Sequence, residues 1–292
     1  MLALAAGGAG AACSSSSAPV AGDAGSTGDD ASGDDGPPAC LATSTCAQMP
    51  TGMQECVTTV SATVVDPSGK PVPKLPVFVC GTNLCSVPQP TADDGTVTLS
   101  VCLPFASPAM KVFSDPQWGA LAALLSGSGP SFAVGTVTVT PLPAMGAALG
   151  PGAMAKAGPV ALSLDASATV KFDVEHTTAD AQMFRSAEVP DGALPGSLAA
   201  QGIQAAWALA PLNTVIAPPA SITVPNAKGW PAGTAVDFYV DGTDTAQPKP
   251  AAPWGQWGLL GTGAVSGDGM SITLTSQQGG LPEIAMVGVK MH

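Results

Sequence analysis

The sequence predicts an all-β protein, two β-sandwich modules that follow a disordered acidic tether. Apolar and polar residues alternate in short runs, as half-buried strands require. The runs are separated by turn-forming clusters, with 35 glycines and 29 prolines in 292 residues, against a combined average of about 12%. Eight such runs recur after residue 160, which is the spacing of a sandwich or barrel. The expected divisions are 1–13, an apolar opening that ends on Cys13; 14–39, the tether; 40–141, a cysteine-bearing sandwich; 142–159, a linker or loop; and 160–292, a second sandwich or barrel-like domain.

The opening, Leu2 to Ala12, is small and apolar and is too short to span a bilayer as a helix, which takes about 20 residues. From Ser14 to Pro38 the chain is Ser, Gly, Ala, Asp and Pro, and its charges are Asp23, Asp29, Asp30, Asp34 and Asp35. Such a segment buries too little apolar surface to offset its ordering entropy, and its like charges extend it. The Asp spacing does not fill the ligand positions of an EF-hand loop.

In the first module, Val60, Ala62 and Val64 alternate with Ser61, Thr63 and Val65, and Asp66-Pro67-Ser68-Gly69 supplies a turn. A second strand is expected at Leu75 to Cys80. A third covers Thr96 to Cys102, with Val97, Leu99 and Val101 on the core face and Cys102 on the polar one. Ser114 to Leu125 reads as a helix, with Asp115 as cap, Pro116 in the first turn and Trp118, Leu121, Leu124 and Leu125 on one face. Ser131 to Thr140 returns to a strand, and the breaker-rich Pro141 to Pro159 follows.

In the second module, strands are expected at about 161–175, 182–189, 205–216, 221–224, 234–240, 257–265, 271–275 and 284–290. Asp268-Gly269 is a hairpin signal. The aromatic residues Trp230, Tyr239, Trp254 and Trp257 are the one place where a ligand contact is suggested, since exposed rings stack on sugars or partner side chains. Trp230, Trp254 and Trp257 are therefore candidate contacts, with Trp254 in the loop Pro253-Trp254-Gly255-Gln256 the most exposed. Tyr239 and Trp257 read more readily as core, where such rings are commonly buried.

Seven cysteines divide into Cys13 and six others: Cys40, Cys46, Cys56, Cys80, Cys85 and Cys102. The six read as disulfide cysteines of an oxidising compartment. Four intervening residues let Cys80 pair with Cys85 as a local loop. That leaves Cys40, Cys46, Cys56 and Cys102 to tie the amino-terminal segment onto the first module.

Three resemblances follow from these residues. Gly10-Ala11-Ala12-Cys13-Ser14 resembles the end of a bacterial lipoprotein signal peptide, with Cys13 as the lipidated residue. Gly10 stands where that pattern has a branched aliphatic residue, and with no basic residue ahead of it the start is expected upstream of Met1. An ordinary cysteine in an Ala/Gly-rich terminus is the alternative. Ser14 implies sorting to the outer membrane. Val60 to Pro73, with Val77-Phe78-Val79 and Asp94-Gly95-Thr96-Val97, resembles the carboxypeptidase regulatory-like, transthyretin-like module, whose members are generally non-catalytic. Cys80 and Cys85 bracket an excursion which that family lacks. Pro218 to Tyr239, with Trp257 to Gly269, resembles a β-module recurrent in large bacterial surface proteins.

The net charge of −12, with nine Lys and Arg, argues against nucleic acid as a partner. The chain has only His176 and His292, and it lacks H-E-x-x-H, G-x-S-x-G, P-loop and dinucleotide patterns. Glu175-His176 reads as a surface pair, and Asp237 and Asp241 merely share a strand face. No metal, cofactor or catalytic residue is assigned. The expected function is a non-catalytic envelope lipoprotein, held at the membrane by a lipid on Cys13, with a protein or glycan as possible partner. The alternative is an envelope hydrolase or accessory subunit with a carboxylate site in the second module.

Overall fold

The computed structural model describes residues 54–113, 116–127, 129–194, 196–243 and 251–292. Cys13, Cys40, Cys46, the tether 14–39 and the cap Asp115 lie outside them. The alternating run forms β1 (Glu55–Val65), which buries Val60, Ala62 and Val64. It is the centre of a three-stranded sheet, antiparallel to β4 (Thr96–Phe105) and parallel to β7 (Ser131–Thr138). Facing it is a four-stranded sheet in the order β3 (Gln89–Pro90), β2 (Pro76–Cys80), β5 (Ala109–Val112), β6 (Leu121–Leu124). Val60, Val64 and Leu99 from the first sheet share a core with Val77, Val79, Met110 and Val112 from the second. The expected turn is present. Asp66 Oδ1 accepts from the Ser68 amide and hydroxyl and from the Lys70 amide, while Gly69 adopts φ +82°, a conformation glycine adopts at little steric cost.

Two expectations in this half are corrected. The alternation of β4 does not run on to Cys102. The pairing shifts between Val57 and Thr59 of β1, and Cys102 takes φ +46°, so a bulge removes it from the strand's regular faces. The helix expected over 114–125 is instead a turn followed by β6. Leu121 and Ala123 face the first core, and Ala122 packs with Cys80, Ala109 and Trp254. A short apolar run buried on both sides has no periodicity that separates helix from strand, and sheet pairing with β5 decides the outcome.

The second half builds an eleven-stranded sheet system. Its strands are β8 (Met154–Lys156), β9 (Ala161–Ser163), β10 (Thr169–Lys171), β11 (Arg185–Val189), β12 (Ala205–Ala210), β13 (Thr214–Pro225), β14 (Ala235–Asp241), β15 (Trp257–Val265), β16 (Ser271–Leu274), β17 (Leu281–Ile284) and β18 (Val287–Met291). A single helical turn, α1 (Gly196–Ala199), precedes β12. The expected run 161–175 is two strands joined by a turn. The run 205–216 ends at Ala210, and its tail belongs to β13, which continues through 221–224. The first part of β13 pairs with β10 and β17, and the last part pairs with β9 and β16. Pro218 and Pro219 lie in the break in the register of β13 against β17, between Val215 and Ala220. Without N–H groups they interrupt the ladder, and just beyond them, from Ser221, β13 takes β9 and β16 as partners.

Residues 142–159 are not a free spacer. Leu142 and Ala155 are buried, and β8 extends the sheet beside β9. Met145 and Met154 are exposed. Among the described residues no strand pairs across the halves, yet they share a packed junction. Strand β12 is buried on both faces, which explains its unbroken apolar sequence. Trp207 and Leu209 point into the second core, while Ala206, Ala208 and Ala210 join the first. Gly119 leaves room for the Ala208 side chain, and a Cβ on it would clash there. The described residues accordingly belong to one compact unit.

Candidate functional site

The three tryptophans proposed as contacts do not form an exposed platform. Trp254 is only 8% exposed. Its indole Nε1 donates to the Ser107 carbonyl at 3.0 Å, and its ring packs with Cys80, Ala109 and Ala122 of the other half. Trp257 is buried too, and its Nε1 donates to the Leu198 carbonyl at 3.1 Å. Trp230 is half-buried against the second core, with its backbone held at both ends by the Asn226 amide side chain. Loop composition placed Trp254 outside, but a loop that lies against a second sheet is interior. An open cleft of about 810 Å³ borders Gln54, Glu55, Thr82, Ser107, Pro108 and Leu125. Trp254 supports its wall from behind by the bond to Ser107.

The junction also carries the least expected chemistry. Asp241, at the end of β14, is 2% exposed. Its Oδ2 accepts from the Ala122 amide of β6 at 3.1 Å, and its Oδ1 has no partner. Burial pushes its carboxyl up to about 7, against the opposing hydrogen bonds from the Ala122 and Gly242 amides and the charge of Lys111. Asp237, four residues earlier, goes the other way. Desolvation is its largest influence, but hydrogen bonds from Thr262 and His292 outweigh it and hold the carboxyl below its ordinary value. Two carboxyls on one strand therefore differ because one faces a dry junction and the other a set of donors.

Around Asp241 runs a polar seam. The Lys111 ammonium donates to the Thr243 carbonyl at 3.0 Å and lies 5.7 Å from the Phe113 ring centroid. Thr243 Oγ1 donates to Asn213 Oδ1 at 2.8 Å, and Asn213 Nδ2 donates to Asp173 at 3.3 Å. His176 is buried, contrary to the surface pair expected. Its Nε2 donates to the Leu212 carbonyl at 2.7 Å, and its ring stacks on Phe113. Glu175 stands at the solvent edge. Desolvation raises its carboxyl, with Lys111 opposing and Asp173 adding.

Cys80 and Cys85 are bonded to each other, as their spacing suggested. Cys56 and Cys102 are also disulfide-bonded. Among the described residues no group of three or more His, Cys, Asp or Glu is arranged to hold a metal, and no helix is long and apolar enough to cross a membrane. No protein-family model and no curated protein matches this chain.

Proposed function

We propose that the protein is a non-catalytic envelope lipoprotein, in which a lipid on Cys13 and an acidic tether hold a rigid two-part β body that braces or binds a protein or glycan partner. The observation that carries this reading is the disulfide chemistry at the tethered end. Cys56 is the second residue of β1, Cys102 sits at the bulge on the neighbouring strand, and both are disulfide-bonded. Disulfides persist in exported proteins and are rare in reducing compartments. The buried Trp254 adds to it, because its ring packs against Cys80, Ala109 and Ala122 and joins the two halves. The transthyretin-like resemblance of residues 57–103 is consistent with a support module.

The test is fractionation of wild-type protein and Cys13→Ala in a bacterial envelope. Wild type is expected in the detergent phase of the outer-membrane fraction, and the variant in the soluble periplasm. Unchanged partitioning of the variant removes the anchor from the account. One observation favours the hydrolase alternative: a carboxyl near pH 7 suits a general acid or base. Asp241 is sealed from solvent, however, and a substrate needs a route to it. A turnover found in a hydrolase screen and abolished by Asp241→Asn would establish that alternative.

A further inference from the structure

One guanidinium fixes two surface loops. Arg185, at the start of β11, is 1% exposed. Its Nε donates to the Pro143 carbonyl at 3.0 Å, and its Nη1 to the carbonyls of Asp180 and Met183 at 2.8 and 3.3 Å. Its Nη2 donates to the Ala144 carbonyl at 3.4 Å and to Asp180 Oδ1. These bonds use every N–H that a guanidinium has. A buried cation is costly unless it is paired and hydrogen-bonded, and all of this one's partners lie in the two loops. The loops are packed as well as bonded, since a Cβ on Gly146 would collide with Met183 and lie 3.2 Å from the Arg185 guanidinium carbon.

Together the loops form one wall of a cleft of about 420 Å³, and Trp118 and Pro116 form the other. Small-ligand sites measure about 300–1,000 Å³. The Gly119 amide donates to the Thr140 carbonyl at 2.8 Å and the Leu142 amide to the Gln117 carbonyl at 2.7 Å, which holds Trp118 beside Pro141. Trp118 packs on the first core and is half-buried, whereas Trp207, Trp254 and Trp257 are buried. Across the cleft the Asp180 side chain is 68% exposed. Its Oδ1 faces Arg185, and its Oδ2 has no partner among the described residues.

We propose that the cleft between Trp118 and Asp180 binds a neutral saccharide: the apolar face of one sugar ring lies on the Trp118 indole, and its hydroxyls donate to Asp180 Oδ2. The indole offers the flat apolar surface that the C–H face of a sugar needs. Asp180 is held in place by a buried partner before any ligand arrives, so binding has little left to order. Charge decides the class of ligand. Asp180 and Arg185 are the charged residues among the described ones that border the cleft, and they neutralise each other. The guanidinium keeps no N–H for a phosphate or carboxylate, and a cation meets a carboxylate that is already paired. Proline-rich segments dock in aromatic-lined grooves, and this cleft has one ring. The inference rests on the glycan form of the binding role proposed above and is independent of the lipid.

The experiment is titration of the ¹⁵N-labelled full chain with maltohexaose, cellohexaose and chitohexaose, followed by nuclear magnetic resonance at the indole N–H signals of its five tryptophans. At least one of these sugars is expected to move the Trp118 signal to saturation and to leave those of Trp207, Trp254 and Trp257 in place. Trp118→Ala is expected to bind that sugar about tenfold more weakly. Asp180→Asn, which keeps an acceptor for Arg185 but loses the charge, is expected to bind it about fivefold more weakly. The wild-type signals decide the outcome if the alanine variant does not fold. A sugar that binds without moving the Trp118 signal, or that binds Trp118→Ala as tightly as wild type, overturns this site and leaves the glycan role standing. Binding by none of the three overturns the site and the glycan role together. A decaproline peptide or an anionic hyaluronan hexamer that moves the Trp118 signal in their place also overturns the proposal.

Discussion

Replacing Trp254 with alanine removes a side chain that touches both halves at once. The indole is 8% exposed, so nearly all of the 150–250 Å² or so that a tryptophan buries is lost. At about 25 cal/mol per Å² this is about 4–6 kcal/mol, and large-to-small core substitutions of Trp or Phe cost about 3–5 kcal/mol. The Ser107 carbonyl also loses its donor, which adds about 1 kcal/mol unless water replaces it. A loss of about 4 kcal/mol lowers Tm by roughly 8–16 °C in a domain of this size. Thermal and urea unfolding followed by far-ultraviolet circular dichroism gives the reading. Trp230→Ala is the control: the ring is half-buried, and the expected loss is about 1–2 kcal/mol. A Trp254→Ala protein that melts within about 2 °C of wild type, and that has lost affinity for a glycan or envelope partner, would refute the placement and restore Trp254 as a surface contact.

Three further outcomes follow from the same structure. Non-reducing peptide mapping is expected to recover Cys80 linked to Cys85, and Cys56 and Cys102 each linked to Cys40 or Cys46; a peptide joining Cys56 to Cys102 contradicts this. Gly158→Ala should fold poorly or not at all, because φ is +95° and an added Cβ would clash with the Ser186 carbonyl oxygen, a combination worth several kcal/mol, about 3 or more; wild-type urea midpoints would contradict it. Asp66, Asp94, Asp165 and Asp268 all have carboxyls held below their ordinary value, chiefly by Ser or Thr hydroxyls two residues away. Their contribution is complete above pH 3.8 and is lost as pH falls through the lowered values, so the acid unfolding midpoint should move to higher pH in Asp94→Ala, and an unmoved midpoint counts against the turn bonds.

Strands with a solvated face were legible in the sequence. β1 and β15 lie where the sequence puts them, and the turns at Asp66 and Asp268 close with the side-chain bonds their residue types allow. What escaped was decided at the junction. Leu121 to Leu124 are buried from both sides, so the run carries no period, and the local helix signals at Pro116 and Trp118 dominate a reading made without the second half. Pro218 and Pro219 look like an end to a strand, whereas β13 runs through them with a break in its register against β17. Asp241 meets its donor Ala122 across 119 residues, and nothing in its neighbours Val240 and Gly242 announces a dry site. A separation of 147 residues from Ser107 hid the role of Trp254. The Cys80–Cys85 bond was legible because it is local; the sequence neighbourhood of a cysteine supplies its partner only when the loop is short.

The anchor is the claim on which the functional account turns, and mass spectrometry of the amino-terminal peptide of protein purified from membranes tests it most directly. The account predicts a mature chain that begins at Cys13 and carries a thioether-linked diacylglyceryl group. A peptide that continues through Ala12 into an unmodified Cys13, or a Cys13 found in a disulfide, would contradict it.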